Sequence, residues 1–193
     1  KALPTEELPR FQESGDRDGF KTIAEIEQII VRGSLDQEQV DAIWECLYLT
    51  SSETVSLLDL VDRRALEDFA PLLHVVPAYT GIRRGELLRL RWQDVDFERD
   101  ELTARSRKQS RQSRETQRRI QMHPDLKPRL LSWREERPRG QYVACPKQSL
   151  DPLTIDEANR NFWQPLRKTS WQLPGKNRFK VGFHTYRHSF ASN

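Results

Sequence analysis

Three residues of this 193-residue sequence have types and spacings suited to work on one anion: Arg83, His184 and Arg187. His184 and Arg187 are three apart in His184-Thr-Tyr-Arg187-His188, so on a helix they share a face and approach the same group. Arg83 follows Thr80-Gly81 at the mouth of a short predicted helix and brings a second guanidinium. Two planar forks of permanent charge can neutralise the oxygens of a phosphodiester as charge builds on them, while imidazole can exchange a proton near neutral pH. Singly, each residue is more often something plainer, an arginine at the surface or in a salt bridge, or a hydrogen-bonded structural histidine. His184 and His188, four apart, also have a zinc-ligand spacing, but no third ligand with suitable spacing is visible and a metal is not expected.

A second cluster lies between these residues in the chain. Arg105, Arg107, Lys108, Arg111, Arg114, Arg118 and Arg119 fall within fifteen residues, opposed only by Glu115. That density favours a polyanion over a merely solvated loop. The net charge of +3 conceals a division: residues 1–70 hold 7 Lys/Arg against 16 Asp/Glu, and residues 71–193 hold 25 against 13. The anion-binding surface is therefore expected in the second part.

The elements that must position these groups are read from periodicity and caps. Thr22-Ile-Ala-Glu25 and Ser34-Leu-Asp-Gln37 are capping-box patterns before amphipathic stretches, with Gly33 placed to stop the first helix. A third helical stretch passes through Leu66, Phe69, Leu72, Leu73 and Val76 into the Thr80-Gly81 turn, with Pro71 and Pro77 bearing on its limits. A short helix follows from Arg84 to Leu90, and then Val95-Asp-Phe97, Leu102-Thr-Ala and Ile120-Gln-Met122 read as short antiparallel strands. His123-Pro-Asp opens a helix through Leu130, Leu131 and Trp133, Thr154-Ile-Asp-Glu157 caps another, and a last helix starts near Gly182. The expected fold is mainly α with a small antiparallel β-sheet, an α+β domain.

With 36% hydrophobic and 32% charged residues, fibrous and disordered classes are excluded. No apolar run reaches bilayer length and no signal-peptide layout opens the sequence, so a cytoplasmic protein with no membrane partner is expected. Cys46 and Cys145 fit neither a disulfide framework nor a CxxC pair and are expected as reduced thiols.

Thr80-Gly81-Ile-Arg83-Arg-Gly-Glu86-Leu-Leu-Arg-Leu-Arg-Trp92-Gln-Asp-Val-Asp96 closely resembles the first signature of the tyrosine recombinase (phage integrase) family, TGxRxxELxxLxWxDVD. His184-Thr-Tyr-Arg187-His188-Ser-Phe-Ala-Ser192 resembles the second, HxLRHxFAS, departing by Tyr186 where leucine is usual. The resemblance spans residues 20–193 and leaves 1–19 as an expected linker remnant.

It implies a metal-free and cofactor-free enzyme in which a tyrosine attacks the scissile phosphate of double-stranded DNA, forming a 3′-phosphotyrosine and releasing a 5′-hydroxyl. Arg83 and Arg187 would be the two catalytic arginines, His184 the histidine of the HxxR pair, and Glu86 and His188 supporting residues. Lys108, the only lysine of the predicted hairpin, would give the leaving oxygen its proton, which an arginine cannot do; a plain contact to the DNA backbone is the alternative. Arg84, Arg105, Arg107, Arg111, Arg114, Arg118 and Arg119 are expected on DNA phosphates. The family's nucleophile lies tens of residues beyond HxxR, a place none of Tyr48, Tyr79, Tyr142 or Tyr186 occupies, so this catalytic domain is expected to stop short of it. It would then bind DNA without cutting it, with self-association on DNA expected of the full-length protein and a nucleoid-associated location. A type IB topoisomerase, with similar chemistry, and a non-catalytic DNA-binding module are the competing readings.

Overall fold

The computed structural model describes residues 19–107, 115–136, 140–175 and 177–193. Lys108, Arg111 and Arg114 lie outside them. Among the described residues the elements run α1 (Ile23–Arg32), α2 (Gln37–Ile43), α3 (Ser51–Arg64), α4 (Leu72–Thr80), α5 (Arg84–Leu87), β1 (Val95–Asp96), β2 (Glu101–Arg107), β3 (Glu115–Gln121), α6 (Leu126–Glu136), α7 (Ile155–Trp163) and α8 (Phe183–Ser192). The three strands form one antiparallel sheet in the order β1-β2-β3. This is the expected helix-rich fold with a small sheet.

The centre is α4. Leu72 through Ala78 and Thr80 are all buried, the pattern of a helix enclosed on nearly every side. α8 packs along it, and α3, α6 and α7 also lean on it. The helix starts at Leu72, after turns over 67–71, and tolerates Pro77 in its interior. Its companion α8 is further fixed by Ser189, whose Oγ accepts the Leu49 N–H at 2.8 Å and donates to the Thr185 carbonyl at 2.7 Å.

Two helix starts differ from the sequence reading. α2 is capped by Asp36 with Gln39, because Ser34 takes φ +76° and cannot supply the extended conformation of an N-cap. α3, not foreseen, carries a full capping box between Thr50 and Glu53.

The charge division has a structural counterpart. Glu27 pairs with Lys180, Asp41 with Arg178, Asp62 with Arg129, and Asp68 with Lys147. Acidic side chains of α1 to α3 and of the turn that follows them thus meet cations of the second part other than Arg83 and Arg187.

Candidate active site

The first signature folds as a helix end followed directly by a helix start. α4 terminates on Gly81 in the left-handed region, φ +58°, a conformation glycine adopts without steric cost. Thr80 Oγ1 donates back to the Val76 carbonyl at 2.6 Å and accepts the Ile82 N–H at 3.2 Å, closing the turn. Arg83 is then the N-cap of α5, and its N–H donates to Glu86 Oε2 at 3.0 Å. The Arg-x-x-Glu spacing is therefore half of a capping box, so the acidic residue of the signature anchors the backbone that presents the arginine.

Glu86 also gathers charge. Its side chain is only 2% exposed; it accepts from Arg83 Nη1 at 3.2 Å on Oε1 and from Arg118 Nη2 at 2.8 Å on Oε2. Burial alone raises the carboxyl pKa, and the hydrogen bonds from Arg118 and from the Arg83 backbone and side chain overrule it, leaving the group below its ordinary value. Glu86 is a buried anion inside a cationic cluster.

Arg187 enters from α8. Its Nη1 donates to the Gly81 carbonyl at 2.7 Å, joining segments 106 residues apart in sequence. That carbonyl caps the C-terminal end of α4, where the helix dipole favours a cation. Arg187 has its pKa lowered by burial first and then by Arg83 and Arg118, against the pull of Glu86. Arg83, Arg118 and Arg187 therefore share one electrostatic neighbourhood, with one carboxylate among three guanidinium groups.

His184, exposed in the first turn of α8, lines a cavity of about 730 Å³ with Trp44, Trp163, Lys180 and His188. The His184 and His188 rings lie 6.4 Å apart, and Phe20 stacks on His188 at 4.1 Å. Burial, and the charges of His184 and Arg187, hold His188 below the usual imidazole value.

The other cations of the sequence reading occupy different environments. Arg84 donates to Asn159 Oδ1 at 3.1 Å and lies over the Phe183 ring, bracing α5 against α7 and α8. Arg105 donates Nε to Asp94 Oδ1 at 2.7 Å, and the Asp94 side chain is 1% exposed. Arg119 is 74% exposed, with Glu101 at 3.9 Å. Arg107 closes β2, where its backbone pairs with Glu115.

Two features were missed by sequence reasoning. Arg118 belongs with Glu86, and the signal was available: Ile120 and Met122 are apolar at alternate positions, so Arg118 shares their inward face while Arg119 points out. Tyr186 is fully buried and bonded to His74 of α4, a partner that no motif announces.

The sequence model of the family described as phage integrase matches residues 48–193. Among solved structures the fold resembles the XerH site-specific recombinase bound to difH substrate, at 20% identity and TM-score 0.55, covering 75% of this chain and 42% of that one. It also resembles the XerA recombinase, at 23% identity and TM-score 0.54, covering 76% and 48%, and a lambda integrase tetramer bound to a Holliday junction, at 18% identity and TM-score 0.53, covering 88% and 50%. The chain thus spans half or less of the length of these three relatives. No curated protein matches it. With both signatures inside the matched span and the fold shared, the chain belongs to the phage integrase family, the tyrosine recombinases.

Proposed function

We infer that this chain is the phosphate-holding catalytic domain of a site-specific DNA recombinase. The observation that carries this reading is the meeting of Arg83 and Arg187 around Gly81 and Glu86, from signatures a hundred residues apart. Three guanidinium groups around one carboxylate leave an excess of two positive charges, which matches a phosphodiester acquiring a second negative charge in its transition state.

In the proposed reaction a tyrosine oxygen attacks the scissile phosphorus and the bond to the 5′-oxygen breaks. Arg83 and Arg187 clamp the non-bridging oxygens, the His184 imidazole takes up the proton that the attacking tyrosine gives up, and Lys108 delivers the proton that the leaving 5′-oxygen takes up. Rejoining is the reverse, with the 5′-hydroxyl returning its proton and displacing the tyrosine. These roles need no metal, since guanidinium charge replaces it.

The attacking tyrosine is proposed to be none of the four in this sequence. Tyr186, the one beside Arg187, is fully buried with its hydroxyl committed to His74. Tyr142 is buried, and Tyr79 stacks on His123 at 4.5 Å. The 193-residue chain is therefore expected to bind duplex DNA, in steep dependence on salt, without becoming linked to it. Copies of the whole protein are expected to associate on the DNA.

A nicked duplex that traps cleaved intermediates tests this. The 193-residue chain should give no denaturant-resistant adduct. A chain carrying whatever residues its gene encodes beyond Asn193 should give one without added metal and lose it on Arg187→Ala. An adduct on the 193-residue chain would place the nucleophile among these four tyrosines. Persistent absence from the longer chain would favour the non-catalytic DNA-binding module.

A further inference from the structure

Arg118 enters the reading above only through its charge, yet its guanidinium makes the shortest contact to Glu86 in the arginine cluster. It donates Nη2 to Oε2 at 2.8 Å, while Arg83 Nη1 reaches Oε1 at 3.2 Å. Charge-assisted N–H···O bonds are strongest near 2.7–2.9 Å, so of the two guanidinium groups that of Arg118 holds the carboxylate closely and that of Arg83 only loosely, while the Arg83 backbone N–H keeps its own bond to Oε2 at 3.0 Å. The two side chains also differ in exposure, 39% for Arg118 and 55% for Arg83. Arg118 leaves β3 on its inward face, opposite Ala104, and its Nε is buried without a partner. Such a guanidinium is turned toward the carboxylate.

We propose that Arg118 is a positioning residue for Arg83, acting through Glu86. It occupies Oε2 and supplies most of the counter-charge for the carboxylate. Oε1 is thereby fixed as a light tether for Arg83, whose guanidinium stays available to a phosphate. Without Arg118 the buried Glu86 charge would keep Arg83 as its one directly bonded guanidinium and draw that fork inward. Because Arg118 stands on β3, the same contact indexes the β2–β3 hairpin to the arginine pair. The inference rests on Arg83 meeting a phosphate of DNA.

The test is binding of a short fluorescent duplex DNA by the 193-residue chain over a range of salt concentrations. Arg118→Gln should weaken binding about tenfold, the scale of one charge-assisted hydrogen bond, and lower the salt slope by up to about 0.9, as Arg83→Ala does, because the Arg83 contact is lost. In an Arg83→Ala background the same substitution should cost less than about twofold, the limit of additivity error. Arg118→Lys should recover part of the loss, since an ammonium keeps the charge and one donor. A further slope reduction of about 0.9 in the Arg83→Ala background would show that Arg118 itself contacts a phosphate, and an equal loss of affinity in both backgrounds would show that it acts independently of Arg83. Either result overturns the proposal.

Should Arg118→Gln melt below the assay temperature, Glu86→Gln removes the buried charge that calls for Arg118. Glu86→Gln with Arg118→Gln should then bind as Glu86→Gln alone, and a further tenfold drop would overturn the proposal. A wild-type chain that ignores DNA, or an Arg83→Ala chain that binds normally, overturns the phosphate reading and this inference together. Loss with Arg83→Ala but additive effects of Arg118→Gln removes this inference alone.

Discussion

The Tyr186 hydroxyl donates to Nδ1 of His74 at 2.8 Å, and both residues are fully buried between α8 and α4. Nε2 of His74 lies 2.9 Å from the Phe162 carbonyl, which can only accept, so the imidazole carries its proton on Nε2 and presents a bare Nδ1 to the tyrosine. His74 also stacks on Phe162 at 4.1 Å. The residue that departs from the second signature is thus satisfied by a polar partner in the central helix.

Tyr186→Phe keeps the ring and leaves Nδ1 unpaired in the core. Urea unfolding should show a loss of about 1–3 kcal/mol. Tyr186→Leu, although it restores the residue usual in the signature, should cost more because it also opens a cavity beside His74. Equal stability of the leucine variant and the wild type would refute the pairing.

Stability should fall as the solution is acidified from pH 7 to pH 5. Burial lowers the His74 pKa from 6.5 to about 3, so between those values the unfolded chain binds a proton that the folded chain does not. Folding stability from this residue is complete above 6.5 and declines below it, by about 2 kcal/mol at pH 5. Replacing both partners, His74→Leu with Tyr186→Phe, should remove this part of the dependence in urea titrations at the two pH values. A double variant with unchanged pH dependence would assign it to another group.

Gly81→Ala should be disabling out of proportion to one methyl group. The left-handed conformation costs an L-residue about 1–2 kcal/mol, and a Cβ at this position would lie 2.7 Å from Cδ1 of Phe190. Phe190→Leu in the same chain should return the steric part and leave the conformational part. Thermal melting of the two variants separates these terms, and a silent Gly81→Ala would contradict the turn.

Arg105→Ala and Arg119→Ala should fail in different assays. The first leaves the buried Asp94 carboxylate without its guanidinium and should cost about 1–3 kcal/mol in urea, less than a fully buried pair because Arg105 is partly exposed. The second should hardly touch stability, and if Arg119 meets DNA it should lower the salt slope by about 0.9. Stability effects of the opposite order would mean that Arg105 does not hold Asp94.

Where periodicity and caps agree with packing, the elements were legible: α1 with its Thr22 box, α7 with its Thr154 box, the hairpin, and the start of α8. α3 went unread even though Thr50 and Glu53 carry the same box, because its apolar residues fall mostly in one cluster, Leu57, Leu58, Leu60 and Val61, behind a polar first turn. Arg83, Glu86, His184 and Arg187 stood out through their signatures. The convergence of Arg83 and Arg187 depends on a backbone carbonyl, which a sequence reading of side chains does not register. The basic run looked uniform from Arg105 to Arg119. In the fold, Arg105 pairs with Asp94, Arg118 with Glu86, and Arg119 remains at the surface. Charge density reports that cations are present; the alternation of β3 separates Arg118 from Arg119, and Arg105, on the same face as Arg119, is set apart by Asp94.

The anchor of Arg187 is a main-chain oxygen, and this bears on how the site can vary by descent. A side-chain acceptor can be lost by one codon change, whereas every residue type at position 81 would still supply a carbonyl. What selection must guard there is the path of the chain, through the residue able to follow it. The arginine's place is therefore inherited as a shape, and drift in the surrounding side chains can proceed while the guanidinium stays where it is.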